Sequence, residues 1–292
     1  MTDHSANIER SAAAVSVRAD IVYATHDGVE LRGDLYVPAG HGPFPVVIAA
    51  PGGGWLICDR KSSKRWGIYL AQQGIAVFAI EYRVATAGRM FPQAISDVVS
   101  AIQFVRGSAG ELDIDPDRIA LLGSSAGAHV ASLAALAASR FSSSQPANGH
   151  AAVDPAVKAL VGIYGVYDLY AHWQHEIADF ANAKDRRSER FLGVAPFADR
   201  QLYFDASPLS HVRYAVNKLP VFLAYGTADE VVSPDSQSKP FALALKQAGF
   251  MVRAYPVIGA GHFWFSEEPI DEPTSFNGFV APRLLRFLQG SL

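Results

Sequence analysis

Gly123-Ser124-Ser125-Ala126-Gly127 follows directly on the apolar run Arg118-Ile119-Ala120-Leu121-Leu122, and Ala128-His129-Val130-Ala131 follows it in turn. Read outward from the centre, this is a buried strand, a sharp turn and a helix. A G-x-S-x-G turn in that setting is a nucleophile elbow, in which a strained backbone pushes the central serine hydroxyl out above a sheet. Side chains two places before or after would collide, so both positions favour glycine. The helix aims its first N–H groups at the same spot, where negative charge can be held. The expected nucleophile is Ser125. Ser124 is the wrong serine, because the elbow exposes only the middle residue.

A serine hydroxyl needs a base to take its proton, and a carboxylate to fix the tautomer of that base. Both must come from loops at the same sheet edge. Asp229 follows the apolar run Val221–Tyr225 through Gly226-Thr227-Ala228. His262 follows Met251–Val257 through Ile258-Gly259-Ala260-Gly261. Ser125, Asp229 and His262 thus stand after three different strands, in the chain order such a site uses. Asp168, also just past a strand, is the reserve acid. Pro51-Gly52-Gly53-Gly54-Trp55 follows yet another strand, and its glycines let backbone N–H groups approach a ligand. Two amides of this loop, with that of Ala126, are expected to cradle an oxyanion.

The remaining chain reads as alternating strands and helices. Strands are expected at 19–25, 29–38, 45–50, 75–82, 118–122, 157–164, 219–225 and 251–257, with Asp27-Gly28 as a hairpin turn between the first two. Helical spacing marks 62–73, 92–106, 126–139, 235–248 and 281–288, with Pro92 in a first turn and Gly74 and Gly249 at helix ends. This order implies an α/β fold with a mostly parallel sheet covered on both faces. Residues 166–218 break the rhythm, being rich in aromatics, histidines and charges without a convincing strand. They are read as a helical lid inserted between core segments 19–165 and 219–292, with 1–18 as an N-terminal extension and 142–149 as a polar connector.

Composition narrows the classes. Of 292 residues, half are hydrophobic and 18% charged, and 25 basic against 28 acidic residues give a formal charge of −3. No basic stripe points to nucleic acid, and no polybasic cluster to a membrane surface. Cys58 is the single cysteine, so neither an intrachain disulfide nor a cysteine metal cluster can form. No apolar core of signal-peptide length occurs among the first 20 residues, and no run of about 18 apolar residues occurs anywhere. The expectation is a cytoplasmic protein acting on a small molecule; homo-oligomerisation is left open.

The chain resembles the α/β-hydrolase superfamily, specifically the hormone-sensitive-lipase-like carboxylesterases and their relatives, among them acetylxylan/feruloyl-type esterases and kynurenine formamidases. The resemblance rests on PGGGW at 51–55, Glu81-Tyr82-Arg83, FPQAISDVVSAIQFV at 91–105, GSSAGAH at 123–129, ASPL at 206–209, YGTADEVV at 225–232 and GAGH at 259–262. It implies an eight-stranded, mostly parallel sheet covered by helices on both faces, with a lid. It implies Ser125 as nucleophile, Asp229 as acid and His262 as base, with the amides of Gly53, Gly54 and Ala126 as oxyanion hole. Ester hydrolysis through an acyl-serine follows, with neither metal nor cofactor. Amide or lactone cleavage on the same scaffold is the alternative, and a non-catalytic ligand cradle a more distant one. One departure is Pro51, which stands where these families usually carry a histidine that ties the glycine loop down.

The expected pocket walls are aromatic: Trp55, Phe91, Tyr164, Trp173, Tyr203, Phe263 and Trp264, all near carboxyl ends of strands or in the lid. No charged residue in the motifs demands an anionic substrate. His129 is read as structural, His172, His175 and Glu176 as lid packing rather than a metal site, Cys58 as a small hydrophobe, and Asp113, Asp115 and Asp117 as turn formers.

Overall fold

The computed structural model describes residues 15–26, 28–141, 149–179, 186–215 and 218–292. Residues 1–14 of the expected extension, Asp27 of the expected hairpin turn, most of the 142–149 connector and parts of the expected lid lie outside them.

The eight expected strands all form: β1 (Ser16–His26), β2 (Val29–Val37), β3 (Phe44–Ala50), β4 (Ala76–Ile80), β5 (Ile114–Ser124), β6 (Ala159–Ile163), β7 (Val221–Gly226) and β8 (Val252–Val257). They make one sheet in the order β1-β2-β4-β3-β5-β6-β7-β8. β1 pairs antiparallel with β2 and β2 antiparallel with β4; every later pairing is parallel. The inner strands read as unbroken apolar runs because helices cover both of their faces. Every residue of β4, β6 and β7 is buried.

The helices are α1 (Lys64–Gln72), α2 (Gln93–Gly107), α3 (Ala109–Leu112), α4 (Ala126–Phe141), α5 (Leu169–Asp179), α6 (Arg187–Leu192), α7 (Arg200–Asp205), α8 (Ser238–Gln247), α9 (Trp264–Glu267) and α10 (Phe276–Ser291). Alternate strand residues divide between two cores. Val46, Ile48 and Leu121 pack with α2, α4 and Phe241 of α8, whereas Val47, Ala49 and Leu122 pack with Trp66 and Leu70 of α1 and Leu284 and Leu288 of α10. This period-two split fixes the register, since a one-residue slip would swap the cores. Among the described residues, the interval between β6 and β7 contains α5, α6, α7 and the 3-10 turn Pro208–His211. Among the described residues, no helix is long and apolar enough to cross a membrane.

Three of the boundary shifts have a visible local cause. β1 begins at Ser16, within the expected extension, because Ser16, Val17 and Arg18 pair with Val37, Tyr36 and Leu35 on an exposed edge that carries no apolar alternation. α10 begins at Phe276, where Ser275 Oγ caps Gly278 N at 2.8 Å; Gly278 and Pro282 hide its first turns from a periodicity reading. In β5 the ladder jumps from the Phe44–Ile114 pair to Val46–Ile119, so Asp115 and Asp117 bulge out, with Asp115 Oδ1 accepting from Asp117 N at 2.9 Å.

Candidate active site

β5 ends at Ser124 and α4 starts at Ala126, leaving Ser125 alone in the turn with φ of 53°. An L-residue is disfavoured in this left-handed region by about 1–3 kcal/mol. The surroundings hold it there: Ser125 N donates to Ile163 O at 2.9 Å, and Ser125 O accepts from Ala128 N at 3.0 Å. A Cβ at Gly123 would run into the carbonyl of Gly127, and one at Gly127 into the carbonyl of Ala50. Both glycines are therefore steric requirements of the elbow.

Two neighbouring loops deliver the other groups. Ala228 N donates to Ala260 O at 2.9 Å and Gly259 N to Thr227 Oγ1 at 2.9 Å, so the segments after β7 and β8 are laced together. His262 Nε2 lies 3.0 Å from Ser125 Oγ, and His262 Nδ1 lies 2.7 Å from Asp229 Oδ2. The second carboxylate oxygen, Asp229 Oδ1, accepts from Val231 N at 3.0 Å and Val232 N at 2.9 Å. Asp229 is acceptor-only, so Nδ1 carries the proton and Nε2 presents a lone pair to the serine. This arrangement can withdraw a proton from Ser125 while keeping the imidazolium paired.

The glycine loop lies against this group. Gly53 and Gly54 have φ of 135° and 59°, and a Cβ on Gly53 would strike the Ile57 carbonyl. Among the described residues, the N–H groups of Gly53, Gly54 and Ala126 have no protein acceptor. Three unpaired amides beside a serine can receive a developing oxyanion. Pro51 does not leave the loop untethered: Tyr82 Oη donates to Pro51 O at 2.8 Å, and Ala85 N to Trp55 O at 2.7 Å. Trp55 Nε1 also donates to His129 Nδ1 at 3.2 Å.

Most of the expected aromatic wall is packed into the protein. Trp55, Phe91, Tyr164, Trp173, Tyr203 and Trp264 are all buried, and only Phe263 is substantially exposed. Trp55 stacks on Phe191, Phe91 packs edge-on against Phe141 and Phe191, Trp173 donates Nε1 to Glu189, and Tyr203 donates its hydroxyl to Val194 O. Trp55, Phe91 and Trp173 are held by core neighbours, while Tyr203 lines a separate cavity with Asp168, Tyr170 and Arg200. Tyr164 and Phe263 are different, with ring centroids 4.4 and 4.6 Å from that of His262. They brace the imidazole on two sides.

The other weighed residues have separate employment. Asp168 Oδ1 accepts from Ala171 N at 3.0 Å, capping α5, whereas the carboxylate bonded to His262 is that of Asp229. His175 Nε2 donates to Glu230 O at 2.8 Å, while His172 Nε2 lies 3.6 Å from Glu176. Among the described residues, no group of three or more His, Cys, Asp or Glu side chains is placed to hold a metal. Burial pushes the Cys58 thiol up to about 12. Asp113 adopts a left-handed turn at the end of α3, and its carbonyl accepts from Phe44 N at 3.0 Å.

Sequence reading missed Arg83, Asp97 and Arg187. Arg83 binds the fully buried Asp97 of α2 through Nε and Nη2, the latter at 2.7 Å, and through its own amide at 2.8 Å. That fork anchors the loop after β4 beside the glycine loop, and its signal was the Glu81-Tyr82-Arg83 motif itself. Arg187 stands beside Gly54; its only signal was the charged run Arg186-Arg187-Ser188-Glu189-Arg190.

The family model BD-FAE matches residues 33–245. Esterase LipQ of Mycobacterium tuberculosis is 31% identical over 85% of this chain and 58% of its own length. The probable carboxylic ester hydrolase LipM of the same organism is 33% identical over 81% of this chain and 51% of its own. A probable isoprenylcysteine alpha-carbonyl methylesterase of Arabidopsis thaliana, ICMEL1, is 30% identical over 84% and 51% respectively. The chain thus spans little more than half the length of these relatives. Among solved structures, butyrate-bound Thermogutta terrifontis esterase 2 has a TM-score of 0.71 and 26% identity, over 97% of this chain and 94% of that one.

Proposed function

Because this chain belongs to the BD-FAE family, of α/β-hydrolase fold, we propose that it is a serine esterase cleaving small to medium carboxylic esters through an acyl-Ser125 intermediate. The observation that carries this reading is the continuous hydrogen-bonded sequence Ser125 Oγ, His262, Asp229, at 3.0 and 2.7 Å.

Ser125 Oγ attacks the ester carbonyl as its proton passes to His262 Nε2, and a tetrahedral adduct forms. The amides of Gly53, Gly54 and Ala126 hold its oxyanion; loss of one such donor typically costs about 3–4 kcal/mol of barrier. His262 then gives the proton to the departing alcohol. Water repeats the sequence on the acyl-enzyme: it loses a proton to His262, adds to the carbonyl, and Ser125 leaves with that proton restored. Asp229 stays ionised throughout and steadies the imidazolium. The helical insertion α5–α7 forms the wall over this edge of the sheet and acts as its lid. Action in the cytoplasm belongs to the same proposal, and cell fractionation tests it.

The direct experiment is labelling with a fluorophosphonate, followed by peptide mapping, alongside Ser125→Ala assayed on short-chain esters. Modification of Ser125 with loss of turnover in the variant is expected. Normal turnover in Ser125→Ala overturns the reading.

A further inference from the structure

A cavity of about 920 Å³ opens beside the glycine loop, lined among others by Ala85, Thr86, Arg89, Arg186, Glu189 and Arg190. It is broadly open to solvent and large enough to take a small ligand. It adjoins the candidate active site, since the Ala85 amide is bonded to the Trp55 carbonyl, one residue beyond Gly54. Arg89, Arg186 and Arg190 line it with Glu189; Glu189 accepts from Arg186 at 2.9 Å and Trp173 Nε1 at 2.7 Å, and Arg89 Nε donates to Phe91 O at 2.7 Å.

Arg187 lies between neighbours that line this cavity and the glycine loop. It opens α6, whose Ser188, Phe191 and Leu192 are buried, and Arg186, Glu189 and Arg190 flank it on the cavity side. Arg187 instead faces Gly54. A Cβ on Gly54 would stand 2.8 Å from Arg187 Cδ and 3.0 Å from Nη1, so glycine leaves the room that the guanidinium occupies. Glu176 is near enough to feel its charge, yet among the described residues Arg187 makes no ion pair within 4 Å. Its side chain is exposed.

A cation there can act in two ways. It can favour the oxyanion of every substrate alike, or it can grip an anionic group carried by the substrate. The arginines lining the neighbouring cavity favour the second, because they add positive charge to this side of the site and their planar forks match carboxylates. We propose that the physiological substrate is an ester bearing a free carboxylate, bound by Arg187 beside Gly54. The proposal rests on the esterase reading and narrows its substrate class.

Two matched pairs of esters test it. Monomethyl glutarate against methyl pentanoate places the carboxylate on the acyl side; butyryloxyacetate against propyl butyrate places it on the alcohol side. In at least one pair the wild type favours the anionic ester in kcat/KM. Arg187→Gln lowers that anionic-to-neutral ratio at least tenfold, mainly through KM, and Arg187→Lys restores part of it. A ratio that Arg187→Gln leaves unchanged in both pairs overturns the proposal, whether or not absolute rates fall. So does cleavage of the neutral esters alone by the wild type. Failure to cleave any of the four, together with no fluorophosphonate labelling of Ser125, overturns the esterase reading instead.

Discussion

Trp55 Nε1 donates to Nδ1 of His129 at 3.2 Å, while the other ring nitrogen of His129 donates to the carbonyl of Ala206 at 2.8 Å. One neutral imidazole therefore ties together the glycine loop, the helix that follows the elbow and the insertion between β6 and β7. Both nitrogens are used, which fixes the Nε2–H tautomer. With Tyr82 on Pro51 O, it does the tethering that a histidine at position 51 would otherwise do. His129→Leu leaves the Trp55 N–H and the Ala206 carbonyl buried without partners, each costing about 1–3 kcal/mol. The expected result is a lower urea midpoint together with a reduced kcat. A midpoint within experimental error of wild type would mean the imidazole carries no such tie.

Acid sensitivity follows from two buried histidines. Burial lowers His129 to about 4 and His172 to about 3, His172 also facing His175, His262 and Arg187. Unfolded, each takes up a proton near pH 6.5. Between pH 6.5 and about 4 the unfolded chain holds protons that the native one does not, so stability falls as pH drops through this window. Asp97 and Glu176, both raised by burial, work in the opposite direction nearer the carboxylate range. His172 has a buried Nδ1 without a partner, so His172→Phe removes a titrating group without breaking a bond at that atom. Its stability should depend less steeply on pH between 6 and 5, by about 1.4 kcal/mol per pH unit. Parallel curves for wild type and variant, from urea titrations at each pH, would refute the assignment.

The elbow makes opposite demands on activity and stability. Ser125 holds a left-handed backbone at φ of 53°, which glycine adopts without steric strain. Ser125→Gly should therefore be inactive yet more stable than wild type by about 1 kcal/mol. Ser125→Ala should be equally inactive with nearly unchanged stability, since it keeps the Cβ and the strain. Thermal unfolding of the two variants side by side separates strain from catalysis. A Ser125→Gly protein less stable than Ser125→Ala would show that the turn is not strained.

The strands and the reacting residues were legible in the sequence because both depend on local rules. Val46–Ala50, Ala76–Ile80 and Val221–Tyr225 are continuous apolar runs, as strands covered on both faces must be. Ser125, Asp229 and His262 each follow such a run after a short turn, so strand ends located them. Tertiary contacts were harder. An aromatic at a strand's carboxyl end has the same sequence signature whether it faces a ligand or, like Trp55 and Trp264, the core. The edge residues 16–18 carry no apolar alternation because solvent covers them. Arg83 and Asp97 are 14 residues apart, and nothing local announces that the fold will join them.

Asp229 offers the sharpest test of the proton path. Its Oδ1 accepts two backbone N–H groups, from Val231 and Val232, and its Oδ2 faces His262 Nδ1. An asparagine there must keep its carbonyl oxygen toward the two amides, because an NH₂ group would clash with donors. Its NH₂ is then forced toward His262, which must offer Nδ1 as acceptor and carry its proton on Nε2. That proton points at Ser125 Oγ, and the base can no longer accept one. Asp229→Asn should fold normally and lose about 10⁴ in kcat, the scale associated with a wrong tautomer. A loss below tenfold would show that the carboxylate does not set the protonation of His262.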